Sequence, residues 1–273
     1  PVDEAFITTE MDKRRASGSI STARREPDKA EFVSGVYNGC TTGTPLCIII
    51  RNQNTRSEDY ARTAQLLRPG HADSPARAKY LGFEDPRGGG HFSGRLTAPI
   101  VAAGALCRQI LAAKGVVIGT HLAACADLQD SPLPTGETAL RQALEALNQK
   151  NFAVLDDAVG EQMQQAILAA KADCDSVGGI LETAVVGLPA GLGEPFFGSA
   201  ESVLPTPLFS IPAVNGVEFG PGFRSAPLLG SPRIHAFIVE DGHVRPAPTP
   251  TRRINRRPPH RMPVPLRALV QPT

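Results

Sequence analysis

The chain has 273 residues, and its 28 Lys plus Arg against 27 Asp plus Glu leave a net charge of +1. No global field therefore draws it to nucleic acid or to a membrane, and any anion binding has to be local. With 26 Gly, 25 Pro and no Trp the composition points to many turns and excludes long amphipathic coils, while the length admits one large domain or two small ones.

The five cysteines, Cys40, Cys47, Cys107, Cys125 and Cys174, lack C-x-x-C spacing and are odd in number, which argues against a disulfide framework and against a metal site. Most of them stand among apolar residues and are expected to be small buried hydrophobes in a reducing compartment. No run approaches the roughly 18 apolar residues of a membrane span, and the opening residues lack a signal peptide's order. The expectation is a cytoplasmic protein with no membrane partner and no nucleic-acid partner.

In chain order, DEAFITTEMDKRR (3–15) predicts a short helix with Phe6 and Met11 facing inward, acids at its start and bases at its end. The turn-rich ASGSISTARREPD that follows is expected to be mobile, with Arg14, Arg24 and Arg25 placed to close over a ligand; a solvated loop is the competing reading. EFVSGVYNG and TPLCIIIRN predict two strands of an antiparallel hairpin, and RNQNTRSEDY is polar enough for a surface loop.

Residues 68–98, RPGHADSPARAKYLGFEDPRGGGHFSGRLTA, are the stretch densest in chemistry. Arg68, His71, Asp73, Arg77, Lys79, Asp85, Arg87, His91, Ser93 and Arg95 surround the glycine run 88–90, which predicts an anion site. Bare backbone approaches a ligand closely, and guanidinium forks match phosphate or carboxylate. A flexible basic loop is the bland alternative.

The strongest helix signal follows, TAPIVAAGALCRQILAAKG, with Thr97 as N-cap, Pro99 in the first turn, close-packing Ala102, Ala103, Gly104 and Ala105, and Gly115 as the stop. Its positive N-terminal end would add to an anion site. VVIGTHLAAC predicts a strand, ETALRQALEALNQK and AVGEQMQQAILAAKAD two packing helices, and SVGGILETAVVGL a strand whose Gly178 and Gly179 predict a bulge or close backbone approach. SIPAVNGVEFGPGF adds a further strand, and RIHAFIVEDGHVR a hairpin over Asp241 and Gly242. The tail from His243 to Thr273 holds eight Pro, seven Arg and no acid or glycine, which argues against a packed helix or central strand over most of its length.

The order RPGHAD, KY, D-x-R-G-G-G and S-x-R-x-T-A resembles the signature of the chorismate synthase family. The likeness extends through REPDKAEFVSGVYNGCTTGTPL (25–46), IRNQNTRSEDY (50–60), DSVGGILE (175–182), GLPAGLGEPFF (187–197) and SIPAVNGVEFGPGF (210–223). It implies an α+β fold with a helical layer sandwiched between two antiparallel β-sheets, assembled as a homotetramer. Residues 1–245 would be the catalytic domain, and 246–273 a Pro/Arg-rich remnant of its C-terminal part.

The activity implied is that of a lyase in the shikimate pathway of aromatic amino acid biosynthesis: anti 1,4-elimination of phosphate from 5-enolpyruvylshikimate 3-phosphate to give chorismate. Reduced FMN is the implied cofactor, with NADPH for flavin reduction in members that reduce their own flavin. By place in the motifs, His71 corresponds to a catalytic histidine, a residue type suited to proton transfer near neutral pH, although a structural hydrogen bonder is the other reading. His91, Phe92 and Ser93 occupy the flavin-contact stretch. APTPT (247–251) resembles a flavin-binding K-P-T-P-S with Ala247 in place of lysine, so Pro248, Thr249, Pro250 and Thr251 join that set. Arg14, Arg68, Arg87 and Arg95 are the candidates for substrate or NADP binding.

Three family pieces do not appear: a G-E-S-H-G strand carrying a first histidine, a T-N-x-x-G-G-I-L-G-G-I-S-x-G segment, and a clear R-H-D-P motif. The expectation is a partial version of a longer polypeptide. A truncated and catalytically impaired scaffold, or a basic-tail binding protein, is the alternative.

Overall fold

A computed structural model describes residues 1–16, 18–21, 26–53, 66–68, 70–85, 87–189, 191–227, 237–240, 243–246 and 264–270. They fall into two units, Pro1–Ile110 and Leu111–Thr273.

In the first unit Asp3 caps helix α1, Glu4–Arg14, its carboxylate accepting from the Phe6 N–H at 2.9 Å. Ile7 and Met11, one turn apart, point into the core. Phe6, expected there, is only half-buried and lies under the Arg108 guanidinium, 5.4 Å from its ring centre. Strand β1, Ala30–Ser34, pairs antiparallel with β4, Cys47–Ile50. Between them β2, Val36–Tyr37, and β3, Cys40–Thr41, form a tight hairpin over Asn38 and Gly39, whose φ of 48° and 71° suit a two-residue turn.

Helix α2, Asp73–Tyr80, leads to two 3-10 turns, Arg87–Phe92 and Gly94–Leu96, where the sequence predicted an open glycine loop. Helix α3, Thr97–Ala112, follows directly. Its Ala98, Ala102 and Ala105 share one buried stripe, and with side chains this small it packs closely on Ile7 and Met11 of α1. Ala103 and Gly104 face outward. Thr97 is not a cap: it is the first helical residue, and its hydroxyl donates to the Gly94 carbonyl at 2.6 Å. Gly115, at φ 78°, ends the helix as expected.

The second unit is built on a five-stranded antiparallel sheet in the order β6-β5-β7-β11-β8. Strands β5, Val117–Cys125, and β6, Leu128–Gln129, are followed by helices α4, Glu137–Leu147, and α5, Asp157–Ala172. Then come β7, Gly179–Val186, and β8, Val214–Phe219. Strands β9, Phe237–Glu240, and β10, His243–Pro246, pair as the predicted hairpin, and β11 is Val264–Val270. Leu140, Leu144 and Leu147 of α4 fall at helical spacing and bury against Ala184 and Val186 of β7. At Gly179 a Cβ would stand 2.8 Å from the Ala124 carbonyl, while the β5 register slips between Leu122 and Ala124, so the glycine pair does mark a close backbone approach.

The tail expectation is corrected at β11. Val264–Val270 lies between β7 and β8, a central position, despite Pro265. The proline is tolerated because it stands near the strand's start, before pairing with β8 begins at Leu266. The cysteine expectation also fails for four of five: Cys125 is buried, whereas Cys40, Cys47, Cys107 and Cys174 are exposed thiols. Local apolar neighbours do not decide which face of an element a side chain occupies. Both sheets and helices are present and every strand pair is antiparallel, which is the α+β class expected. Among the described residues no helix is long and apolar enough to cross a membrane.

Gly119 of β5 sets the approach of α4, since a Cβ there would sit 2.8 Å from the Leu144 Cβ and 3.0 Å from its Cα. Gly119→Ala should therefore destabilise by about 1–3 kcal/mol, the usual cost of overpacking. The check is a shift of the urea unfolding midpoint at unchanged slope; an unmoved midpoint would show that α4 can retreat freely.

Candidate active site

The RPGHAD segment closes on itself. Asp73, the first residue of α2, takes the Arg68 backbone N–H at 3.0 Å and Nε at 2.8 Å on one carboxylate oxygen, and Arg68 Nη2 at 2.7 Å on the other. Gly70, at φ 70°, supplies the turn that makes this ring possible. His71 sits inside it, with Nδ1 2.6 Å from Asp73 Oδ1 and 3.1 Å from Arg68 Nη2. Chiefly through the Arg68 hydrogen bond, with further help from His71, the Asp73 carboxyl is held far below the usual carboxylate range. His71 and Arg68, singled out in the sequence, are thus brought together by Asp73.

A second cluster forms around Asp28. Its side chain is 2% exposed, and its backbone has a φ of 45°, left-handed. Arg14 Nη1 reaches Oδ2 at 2.8 Å and Arg95 Nη2 reaches Oδ1 at 2.6 Å, with Glu26 3.8 Å from Arg95. The other Arg14 donors go to Thr97 Oγ1 at 3.2 Å and to the carbonyls of Gly94 and Arg95 at 3.2 and 3.4 Å. The two arginines expected at an anion site are therefore neighbours, and one shared carboxylate orders them. Asp28 and Glu26 carry no local signal in REPDKAEF, because only tertiary folding buries them.

The flavin-contact candidates lie between the clusters in chain order. His91 is exposed and meets the Tyr80 ring edge-on, centroids 6.3 Å apart. Phe92 is 39% exposed. The Ser93 hydroxyl accepts from the Arg95 N–H at 3.3 Å and so starts the second 3-10 turn. Arg87 opens the first turn, but its side chain lies outside the described residues, as do Pro248, Thr249, Pro250 and Thr251. Among the described residues no group of three His, Cys, Asp or Glu could hold a metal ion.

The second unit holds a charged network that sequence reasoning missed. His121 of β5 is 1% exposed, its Nδ1 2.7 Å from Asp130 and its Nε2 3.2 Å from Glu182 of β7. Asp130 also accepts the N–H groups of Ser131, Leu155 and Asp156. Arg267 of β11 donates to Glu182 at 2.9 Å and stands 3.9 Å from Glu218 of β8. Burial by itself lowers the His121 pKa, but the two carboxylates outweigh it and the net direction is upward. Burial raises Asp130 and Glu182, and their hydrogen bonds overcome it, so both end below their usual values. His121, Asp130, Glu182 and Arg267 together tie β5, β7 and β11.

Against this geometry, a family model described as chorismate synthase matches residues 1–253. The chain belongs to the chorismate synthase family. It is 41% identical over 242 residues to chorismate synthase of Chitinophaga pinensis, covering 89% of this chain and 63% of that relative. It is 40% identical to that of Pyrococcus abyssi over 243 residues, covering 89% of this chain and 66% of the relative. The chain thus spans just under two-thirds of the length of these chorismate synthases. A solved structure titled as the crystal structure of chorismate synthase superposes with a TM-score of 0.75 over 100% of this chain and 76% of that one, at 23% identity. The fold is that of the family.

Two outcomes follow from the clusters. Replacing Asp28 by Asn leaves two part-buried guanidiniums without their anion, and the loss should be on the order of 3 kcal/mol in urea unfolding, the size for breaking a buried pair. For His121, the folded state binds its proton more tightly than the unfolded chain, so its stabilisation is full below the ordinary value of 6.5 and is lost as pH rises through the folded value. Asp130 and Glu182 work oppositely, losing their share as pH falls below their ordinary 3.8 and 4.5. The stability gap between wild type and His121→Gln should therefore be widest between pH 4.5 and 6.5 and shrink on either side. A gap that is flat across pH 4 to 9 in thermal melts would remove the imidazolium from the account.

Proposed function

We propose that the protein carries out the chorismate synthase reaction, anti 1,4-elimination of phosphate from 5-enolpyruvylshikimate 3-phosphate to give chorismate. One ring C–H bond and the C–O bond to phosphate break, and a ring double bond forms. The observation that carries the reading is the imidazole of His71, held by a carboxylate in the motif that resembles the family's catalytic stretch. The ring is partly exposed, and an imidazole is a side chain suited to proton transfer.

Arg95 would take a carboxylate or phosphate of the substrate. Its Nη2 is held by Asp28 at 2.6 Å, which orients the guanidinium, and its other donors would meet the anion. Arg14 supports that pose from behind, through Asp28 and the carbonyls of residues 94 and 95. Arg68 and Arg87 are the further candidates for binding a substrate that bears one phosphate and two carboxylates.

When bound, reduced FMN would supply the transient electron that a redox-neutral elimination of this kind draws on. The residues present fit such a group. Phe92 and Leu96 leave apolar surface uncovered beside the Ser93 turn, and nothing lies within 4 Å of where a Cβ on Gly94 would stand, so a ring can approach bare backbone. His91, Phe92 and Ser93 are the residues of the first unit that would hold it. NADPH would serve as reductant if this member reduces its own flavin. We assign residues 1–245 to the catalytic domain, with 246–273 completing it, in a cytoplasmic homotetramer.

The test uses the full-length polypeptide. FMN fluorescence should be quenched on binding, and far more tightly with 5-enolpyruvylshikimate 3-phosphate present. His71→Ala should lower single-turnover rate by about 10² to 10⁴ with the melting temperature kept. Absence of quenching in both conditions, or a variant of normal rate per folded molecule, would sink the reading.

A further inference from the structure

We infer that Asp73 is the positioning residue for His71: its carboxylate fixes the imidazole as the tautomer protonated on Nδ1, leaving Nε2 as the nitrogen that exchanges a proton with the ligand. The inference rests on the reading of His71 as a proton-transfer group and adds which nitrogen acts and what orients it.

The geometry decides between two arrangements of the ring. In one, Nδ1 carries hydrogen and donates to Asp73 Oδ1, 2.6 Å away. In the other, Nδ1 is a lone pair that accepts from Arg68 Nη2 at 3.1 Å. The second would set a lone pair against a carboxylate lone pair at 2.6 Å, closer than any other polar contact of this ring. It would also waste the shorter contact. An ionised carboxylate is acceptor-only, so the first arrangement holds. Arg68 Nη2 then does not serve the ring at all. It and Nδ1 are two donors converging on one oxygen, which the 2.7 Å Arg68–Asp73 contact already shows to be accepting.

Arg68 thereby gains a second role beside substrate binding. With its backbone N–H and Nε both on Oδ2, it stops the carboxylate from rotating, and Oδ1 stays aimed at the ring. The segment is also closed by the His71 N–H to the Arg68 carbonyl at 3.3 Å, so the ring's backbone and its hydrogen-bond acceptor move as one piece. A histidine oriented through one nitrogen by a carboxylate, with the other facing the reaction, is a recurrent way to keep a proton carrier in one tautomer.

Asp73→Asn tests this sharply. The Arg68 backbone N–H and Nε still need an acceptor, so the amide oxygen should turn toward them and present NH₂ to Nδ1. Nδ1 must then become the acceptor, and neutral His71 should switch to the Nε2-protonated tautomer. Nuclear magnetic resonance on the full-length protein with isotope-labelled histidine, without flavin or substrate, reads the tautomer directly. The expected result is Nδ1–H in the wild type and Nε2–H in Asp73→Asn, with turnover down by about 10²-fold or more and the Michaelis constant within a few-fold. A wild-type His71 in the Nε2–H form overturns the inference even if the variant does not fold. So does a variant that changes tautomer with turnover intact, or one that keeps the wild-type tautomer. Failure of the protein to bind FMN would instead strike the proposed reaction and leave the tautomer result standing.

Discussion

The carboxylate of Asp28 is the constraint on which the first unit depends. Taking a charge out of water costs several kcal/mol unless cations and donors replace the lost solvent. Here the replacements arrive from two elements far apart in sequence: Arg14 from the end of α1 and Arg95 from the turn before α3. Once both guanidiniums are committed, the direction in which α3 starts is determined, because Arg14 also holds the carbonyls of Gly94 and Arg95 and the hydroxyl of Thr97. The alanine stripe of α3 can then meet Ile7 and Met11 at close range. The two arginines are thus part of the scaffold of the first unit, held near one another by a shared carboxylate.

The ring around His71 is organised on a different principle. The hydrogen bonds that join Arg68, His71 and Asp73 run between residues 68 and 73, so this part of it forms locally. A side chain on such a closed loop keeps its geometry while neighbouring turns adjust. The charged network of the second unit is non-local in the extreme. His121, Asp130, Glu182 and Arg267 come from two adjoining strands, a loop and a strand near the end of the chain, and their charges compensate only when all are in place. It fastens β11 between β7 and β8 with the strength of an ion pair as well as a hydrogen-bond ladder.

The amino-acid sequence by itself determined what is local. Helix α1 is visible because acids stand at its start and bases at its end, as the dipole favours. Helix α3 is visible because Pro99, the alanines and Gly115 punctuate it, whereas the ring of Arg68, His71 and Asp73 was seen only in the structure, although its partners lie within five residues. The motif order through residues 68–98 was enough to point to the family before any coordinate was known. Only the tertiary structure decided which side chains lose contact with water. The fold made Asp28 the partner of Arg14 and Arg95, set two carboxylates beside a buried His121, exposed Cys47 although Leu46 and Ile48 adjoin it, and drew a segment of the tail into the middle of a sheet. These are properties of neighbours from distant parts of the chain. A one-dimensional pattern of propensity and hydropathy records only what a residue favours, whereas desolvation and charge compensation depend on what the fold sets beside it.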